Sequence, residues 1–441
     1  MNSRERGPNF VFVVADDLGY ADLGCYGGRP AVFGPVSPVI DRLATEGIRF
    51  TQGYSNSPVC SPTRFALMTG RWHYRLRGAA EEPISGRSRG SATLGLPPEH
   101  PTLPSLLRAA GWRTALVGKW HLGYPPHFGP QRSGYETFYG PMSGGVDYFT
   151  HCGTNGAHDL FEGEHEHPDD GYLTDLITDR AVDWIDGVAA RSEPFLLSLH
   201  YTAPHWPWET RDDRARSAEV RDNLFHLHGG DIHTYRRMIH HMDEGIGRVL
   251  DALARHGVAD ETLVVFTSDN GGERFSDNWP LVGGKMDLTE GGIRVPWVAR
   301  WPRVITPGRV TTQHCLTMDW TATMLDAAGV AAAPGHPLDG VSLLPVLRGA
   351  PEFERPMAWR MKHRGQRALR RGRWKYLQVD GIEYLFDIDA DERERANRAR
   401  LEPERLAAMR REWEHWNASM PPIPDDATVN LGYSVKDMPS R

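Results

Sequence analysis

Two pairs of hard oxygen donors stand at the ends of apolar runs. Asp16-Asp17 follows residues 10–15 (FVFVVA), and Asp269-Asn270 closely follows residues 263–267 (LVVFT). Adjacent carboxylates at a buried strand end repel each other and need a cation. Ligation by oxygen alone suits Ca²⁺, or Mg²⁺, rather than Zn²⁺. Asp and Asn also cap helices. Either pair alone fits capping, whereas two pairs at matching strand ends favour a metal. Lys119 and His121 lie two residues apart, which in an extended segment turns both to one face. Beside a metal they suit an oxyanion, Lys119 as a fixed charge and His121 as donor or proton shuttle. Lys285 follows Gly283-Gly284, a flexible loop that lets a cation approach a ligand closely. Taken singly, each of these cations fits a surface charge. In Cys60-Ser61-Pro62-Thr63-Arg64, the proline and the helix-like residues 65–69 set Cys60 near a helix N-terminus, which favours an anion. A buried inert thiol is the ordinary alternative.

The elements that must position these groups are legible as patterns. Residues 10–15, 114–117, 195–199 and 263–267 are apolar without alternation, as in a parallel sheet covered on both faces. Helical patterns at 38–47, 102–111, 172–185 and 234–257 lie between or beside them, so the fold class is α/β with a doubly wound sheet. In such sheets ligands gather beyond the carboxyl ends of the strands. Those ends carry Asp16-Asp17, Lys119 and His121, His205, and Asp269-Asn270. Residues 350–356 read as a boundary. Beyond it, 357–361, 368–369, 374–377 and 384–386 predict antiparallel strands, and 403–416 an amphipathic helix. The chain therefore divides into 1–349 and a smaller α+β subdomain, 350–441, whose tail after Pro421 is expected to be coil.

The 441 residues carry 50 Lys+Arg against 57 Asp+Glu, a net charge of -7, which argues against nucleic acid as a partner. With 40% hydrophobic and 24% charged residues the composition is that of a globular protein, not a disordered one. No apolar run approaches the roughly 20 residues a bilayer helix needs, so no membrane association is expected. Residues 10–15 are too short for a leader and stop at two aspartates, so a cytoplasmic location is expected unless a leader was removed. Four cysteines are too few for a disulfide framework.

Cys60-x-Pro62-x-Arg64 followed by Leu67-x-Thr69-Gly70-Arg71 resembles the signature of the type I, formylglycine-dependent sulfatases. Asp16-Asp17-Leu18-Gly19-Tyr20, Gly118-Lys119-Trp120-His121-Leu122-Gly123 and Ser268-Asp269-Asn270-Gly271-Gly272 match the same family in order, over about residues 8–390. The resemblance implies an alkaline-phosphatase-like core with a mixed sheet, a sulfatase catalytic domain over 1–349, and hydrolysis of small-molecule or sugar sulfate monoesters. It implies that Cys60 is converted to formylglycine by a separate maturation enzyme. It further implies one Ca²⁺ on Asp16, Asp17, Asp269, Asn270 and the formylglycine oxygen. Arg64 would orient the formylglycine hydrate, Lys119, His205 and Lys285 would bind sulfate oxygens, and His121 would act on the hydrate hydroxyl.

A thiolate attacking a sulfate ester would be left as a stable S-sulfated cysteine. An aldehyde hydrate attacks through one hydroxyl and expels sulfate by deprotonating the other. For the leaving alcohol, His205 and Lys285 both remain candidate acids. A phosphonate monoester or phosphodiester hydrolase would use the same site, and an inactive Ca²⁺-binding homologue is a third reading. Neither the substrate's identity nor the oligomeric state is legible. Among weaker candidates, His165 and His167 fit a solvated loop better than a second metal site. His226, His228 and His233 likewise fit a bland role, and His240 and His241 read as helix-face residues. Cys25, Cys152 and Cys315 fit structural thiols. Asp147 and His151 are candidate pocket residues, and Trp206 and Trp208 a candidate apolar wall.

Overall fold

The computed structural model describes residues 7–28, 34–191, 193–220, 224 and 229–430. His226 and His228 lie outside the described residues. A ten-stranded sheet forms the centre of the molecule. Its strands are β1 (Asn9–Ala15), β2 (Ile48–Phe50), β3 (Arg113–Gly118), β4 (Thr137–Pro141), β5 (Leu160–Glu162), β6 (His165–Glu166), β7 (Phe195–His200), β8 (Thr262–Ser268), β9 (Trp297–Arg300) and β10 (Arg309–Thr311). The order is β10-β2-β9-β8-β1-β7-β3-β4-β5-β6. The four strands expected from the apolar runs are β8, β1, β7 and β3, and they form one parallel block at the centre. The sheet is mixed because β9 runs antiparallel to β2 and β8, and β5 to β4 and β6.

The absence of alternation in β1 follows from burial on both sides. Val11, Val13 and Ala15 face a core with α1 (Pro38–Thr45), α4 (Leu173–Ala189) and α5 (Ile232–Arg255). Phe10, Phe12 and Val14 face another with α2 (Cys60–Thr69), α3 (Leu103–Ala109) and α6 (Thr317–Ala328). Two apolar faces and three helices on each side give the doubly wound architecture. Among the described residues, no helix is long and apolar enough to cross a membrane.

The C-terminal subdomain is an antiparallel meander of β11 (Met357–Arg360), β12 (Arg367–Arg371), β13 (Trp374–Val379) and β14 (Ile382–Asp387). Met409 and Trp413 of α7 (Pro403–Ala418) cover one face against Leu369, Tyr376 and Leu385. The other face carries Met357, Trp359 and Leu377 onto Tyr54, Val59, Ala66 and Leu288 of the large domain. Lys375 Nζ crosses this joint, 2.9 Å from Glu290 and 2.8 Å from Glu394, all three buried.

Residues 421–430 are coil as expected, save a turn and a single bridge from Val429 to Glu82, and a distant partner anchors them: Glu82 N donates to Thr428 O at 2.9 Å and Asn430 N to Glu82 O at 2.8 Å. One local expectation needs correction. His165 lies in β6, at the sheet's edge rather than in a loop. His167 lies among Glu162, Asp169 and Arg180.

Candidate active site

The carboxyl ends of β1, β3, β7 and β8 converge where α2 begins. Asp16 N donates to Ala203 O at 3.1 Å, Asp269 N to Ala15 O at 3.2 Å, and Lys119 N to His200 O at 2.8 Å. Backbone bonds thus tie the end of β1 to that of β8 and to the loop before His205, and the end of β3 to that of β7. Neither oxygen-donor pair caps a helix. Asp17 turns into the left-handed region at φ 61°, and the residues after Asn270 run on as loop.

Asp16, Asp17, Asp269 and Asn270 are all buried. Asn270 Nδ2 donates to Asp17 Oδ1 at 2.7 Å, and Asp17 N lies 3.4 Å from Asp269 Oδ1. Asp16 Oδ1 and Asn270 Oδ1 have no hydrogen-bond partner. Asp16, Cys60 and Asp269 offer ligand atoms within 4.8 Å of one another, as do Asp16, Asp17 and His205. Burial, together with the charge of Asp269, pushes the Asp16 carboxyl well above the carboxylate range. Burial acts likewise on Asp17, but Lys285 and His205 overcome it and hold that group low. Bare buried oxygens among crowded carboxylates fit a hard divalent cation.

Cys60 opens α2 after extended Val59, at the positive end of a wholly buried helix. Burial pushes its thiol up to about 12, against the pull of Lys119 and Lys285. An unmodified Cys60 is therefore a protonated thiol and a poor nucleophile at neutral pH. Arg64, one turn on, is buried; its Nε donates to Asp269 Oδ2 at 3.0 Å and its Nη1 to Lys119 O at 3.1 Å. Ser61 Oγ accepts from Ile84 N at 2.9 Å, docking the loop that forms one cleft wall.

Lys119 Nζ is bonded to Asp16 Oδ2. Lys285 Nζ lies 2.6 Å from Asp17 Oδ2 and 3.3 Å from Glu273 Oε1. The glycines before Lys285 serve close packing rather than flexibility: a Cβ on Gly284 would fall 2.5 Å from Gly272 O. The strand ends at Gly118 and His121 has φ 60°, so the extended geometry expected for Lys119 and His121 is not present. Both side chains nevertheless stay close enough for the Lys119 charge to act on His121.

The histidine tautomers follow from their partners, since a carbonyl only accepts. His121 Nε2 donates to Ile84 O at 2.7 Å, which leaves Nδ1 bare and buried. His205 Nδ1 donates to Trp206 O at 2.7 Å, with Nε2 3.5 Å from Asp17 Oδ2. Burial lowers both pKa values, aided by Lys119 at His121 and by Lys285 at His205.

A cleft of about 640 Å³ opens over the site. Cys60, His121, His205, Trp206, Glu273 and Lys285 line it, with Arg87, Ser143, Thr154, Asn155, Val429 and Asn430 among its other walls. Asp147 and His151 do not line it. Asp147 accepts from Phe149 N, Thr150 N and Ser217 Oγ, and His151 bonds Gly171 O. Trp206 does line the cleft, whereas Trp208 is buried against Phe275. The sequence reading missed His200, whose Nδ1 is 3.3 Å from Arg64 Nη1. It is a histidine at a strand end, the signal that marked the others. It also missed Glu273, and Val429 and Asn430 from the far end of the chain.

Residues 8–330 match the Sulfatase family, and residues 284–400 match the family "N-sulphoglucosamine sulphohydrolase, C-terminal". Steryl-sulfatase of Mus musculus is 32% identical over 431 residues, covering 78% of this chain and 65% of that protein. N-acetylgalactosamine-6-sulfatase of Mus musculus is 31% identical over 373 residues, covering 79% and 68%. The chain thus spans about two thirds of the length of these relatives. The structure of Ps i-CgsB in complex with k-i-k-neocarrahexaose superposes with a TM-score of 0.82 at 31% identity, covering 93% of both chains. PsFucS1 sulfatase from Pseudoalteromonas sp. shares the fold, with a TM-score of 0.77 at 24% identity over 94% of this chain and 90% of that one. With a family match over most of its length and relatives of this similarity, the chain belongs to the sulfatase family of sulfuric ester hydrolases.

Proposed function

We propose that the protein hydrolyses sulfate monoesters of sugar-like alcohols, with formylglycine at position 60 and Ca²⁺ held by Asp16, Asp17, Asp269 and Asn270. The carrying observation is the position of Cys60: a buried residue lining the cleft, beside bare carboxylate and amide oxygens and two ammonium groups. A bound divalent cation supplies charge neutralisation to nucleophile and sulfuryl oxygens. An aldehyde hydrate supplies a hydroxyl nucleophile and a release route that a thiol lacks. The modification makes a formylglycine-generating maturation enzyme a partner.

The chain's own residues divide the remaining work. Lys119 and Lys285 each carry three N–H donors; Lys119 commits one to Asp16, Lys285 commits two to Asp17 and Glu273, and the rest bind the sulfuryl oxygens. His121 keeps Nε2–H on Ile84 O and offers the Nδ1 lone pair to the proton of the attacking hydroxyl. Its lowered pKa keeps it neutral, as a base must be. His205 keeps Nδ1–H on Trp206 O, so Nε2 carries a proton for the departing oxygen only in the imidazolium form, which burial and Lys285 disfavour and Asp17 supports. Arg64 fixes Asp269 and the Lys119 backbone in place.

Arg87, Ser143, Thr154 and Asn155 offer the alcohol hydrogen-bonding groups, and Trp206 an apolar ring, as a sugar with its hydroxyls and apolar face would use. Relatives named for N-acetylgalactosamine and bound to a carrahexaose agree with this reading, whereas steryl-sulfatase is named for a flat, apolar alcohol. Turnover of sulfated mono- and disaccharides, 4-nitrophenyl sulfate and a matched aryl phosphonate by matured enzyme tests the reading. A kcat/KM higher for the phosphonate than for every sulfate would overturn it.

A further inference from the structure

The C-terminal segment reaches the cleft in a defined way. Val429 pairs with Glu82 in parallel register, and Asn430 lines the cleft. The orientation of the Asn430 amide follows from a chain of hydrogen bonds. Arg77 Nη1 lies 2.6 Å from Glu81 Oε1 and makes that carboxylate an acceptor. Thr428 Oγ1 donates to Glu81 Oε2, so its own lone pair is left to accept. Asn430 Nδ2 lies 2.8 Å from Thr428 Oγ1 and 2.8 Å from Pro83 O. Both partners can only accept, so the Nδ2 position holds nitrogen and both its protons are spent. Oδ1 is then the remaining side-chain polar atom of Asn430, an acceptor on a residue that lines the cleft.

We propose that Asn430 is a specificity-determining residue that reads a hydroxyl group of the leaving alcohol through Oδ1. This rests on the sulfatase reading above and adds a substrate feature to it: the alcohol bears a hydrogen-bond donor besides its ester oxygen. The strap from Pro421 to Asn430 acts as the positioning element. Lys362 Nζ holds Asp425 O and Ala427 O at 2.7 Å each, and Glu82 accepts from Lys362 N and His363 N at 2.7 and 2.9 Å. The C-terminal subdomain thereby helps fix the wall that contacts the alcohol, while the sulfuryl group is held entirely by the large domain.

The test compares wild type, Asn430→Ala and Thr428→Val, all matured, on 4-nitrophenyl sulfate and on the best substrate from a panel of sulfated mono- and disaccharides. Loss of one neutral hydrogen bond predicts a fall of about 3- to 10-fold in kcat/KM on the sugar for Asn430→Ala. The nitrophenyl ester, which has no hydroxyl, should be unaffected. Thr428→Val frees one anchor of the amide and should give a smaller loss with the same selectivity. Equal losses on both esters, with or without a fall in melting temperature, would make Asn430 merely structural and overturn the proposal. So would an unchanged sugar rate in Asn430→Ala, or a wild type active on nitrophenyl sulfate but on no sugar. Inactivity of the wild type on every sulfate ester would instead sink the sulfatase reading, and this inference with it.

Discussion

His205→Gln separates proton donation from charge neutralisation. The imidazole is buried, tilted at 42° against Trp206 with 4.2 Å between ring centroids, with Nδ1 2.7 Å from a carbonyl and Nε2 3.5 Å from Asp17. Only Nε2 can carry an exchangeable proton toward the reacting centre. Burial and Lys285 disfavour the imidazolium, so once formed it is a strong acid, and Asp17 partly offsets that penalty. A positioned acid is worth about 10²–10⁴-fold, or about 3–5 kcal/mol of barrier. That loss should fall on sugar and alkyl sulfates, whose alkoxides leave poorly. A nitrophenolate leaves without a proton, so there the loss should be that of one hydrogen bond, about tenfold. The assay is kcat/KM across aryl and alkyl sulfates plotted against leaving-group pKa. His205→Gln should steepen the line, whereas Lys285→Ala should lower it in parallel, because the sulfuryl group is common to all substrates. Parallel lines for His205→Gln would refute the assignment and leave Lys285 as the acid.

Peptide mass spectrometry should find aldehyde in place of the Cys60 thiol in active enzyme, and Cys60→Ala should abolish turnover without lowering the melting temperature. A fully active preparation with only thiol at Cys60 would contradict this. Chelation should lower both activity and melting temperature. Free Ca²⁺ at a hundred times its Kd would stabilise the fold by about 2.7 kcal/mol, and identical melting in calcium and in chelator would exclude the site. Lys375→Met removes the ammonium shared by Glu290 and Glu394 at the subdomain joint and should cost about 3–5 kcal/mol in urea unfolding. In wild type, burial opposes the charge on Glu290, but Lys375 and Arg370 hold its pKa down at about 2. Glu290's share of the joint's stability should therefore be present above the usual Glu pKa and lost as the pH falls toward 2, while burial raises Glu394 to about 7 and its share is lost as the pH rises toward that value.

The central strands were legible because both their faces are buried, which writes a continuous apolar run into the sequence. Strands β2, β9 and β10 were not: each has three or four residues, too short for any period to register. The site was legible to the extent that its groups sit at the ends of the legible strands. His200 escaped because the run at 195–199 was ended one residue early. The misreading of Asp147 and His151 has a local cause, since a polar pair beside glycines looks the same whether it faces a ligand or caps its own loop. The wall made by Val429 and Asn430 left no local trace. Its hydrogen bonds join residues 347 apart, from Asn430 to Pro83, and nothing within ten residues of either end announces the other.

Cys60 is 1% exposed in the finished fold. Helix α2 packs with Phe65 and Met68 into a core that also holds Trp297, Trp320 and Met324. That core cannot close while residues near 320 are still unsynthesised. At 5–20 residues per second, the ribosome needs on the order of ten to fifty seconds to travel from position 60 to that point. An enzyme that must touch Cys60 meets it as an extended, accessible peptide during this interval and as an inaccessible residue afterwards. The sheet order, with β8 and β9 from late in the chain beside β1 and β2 from its start, would therefore act as a timer on the proposed modification of Cys60. Conversion would compete with the progress of translation, and protein that closed its core unconverted would stay so until it unfolded.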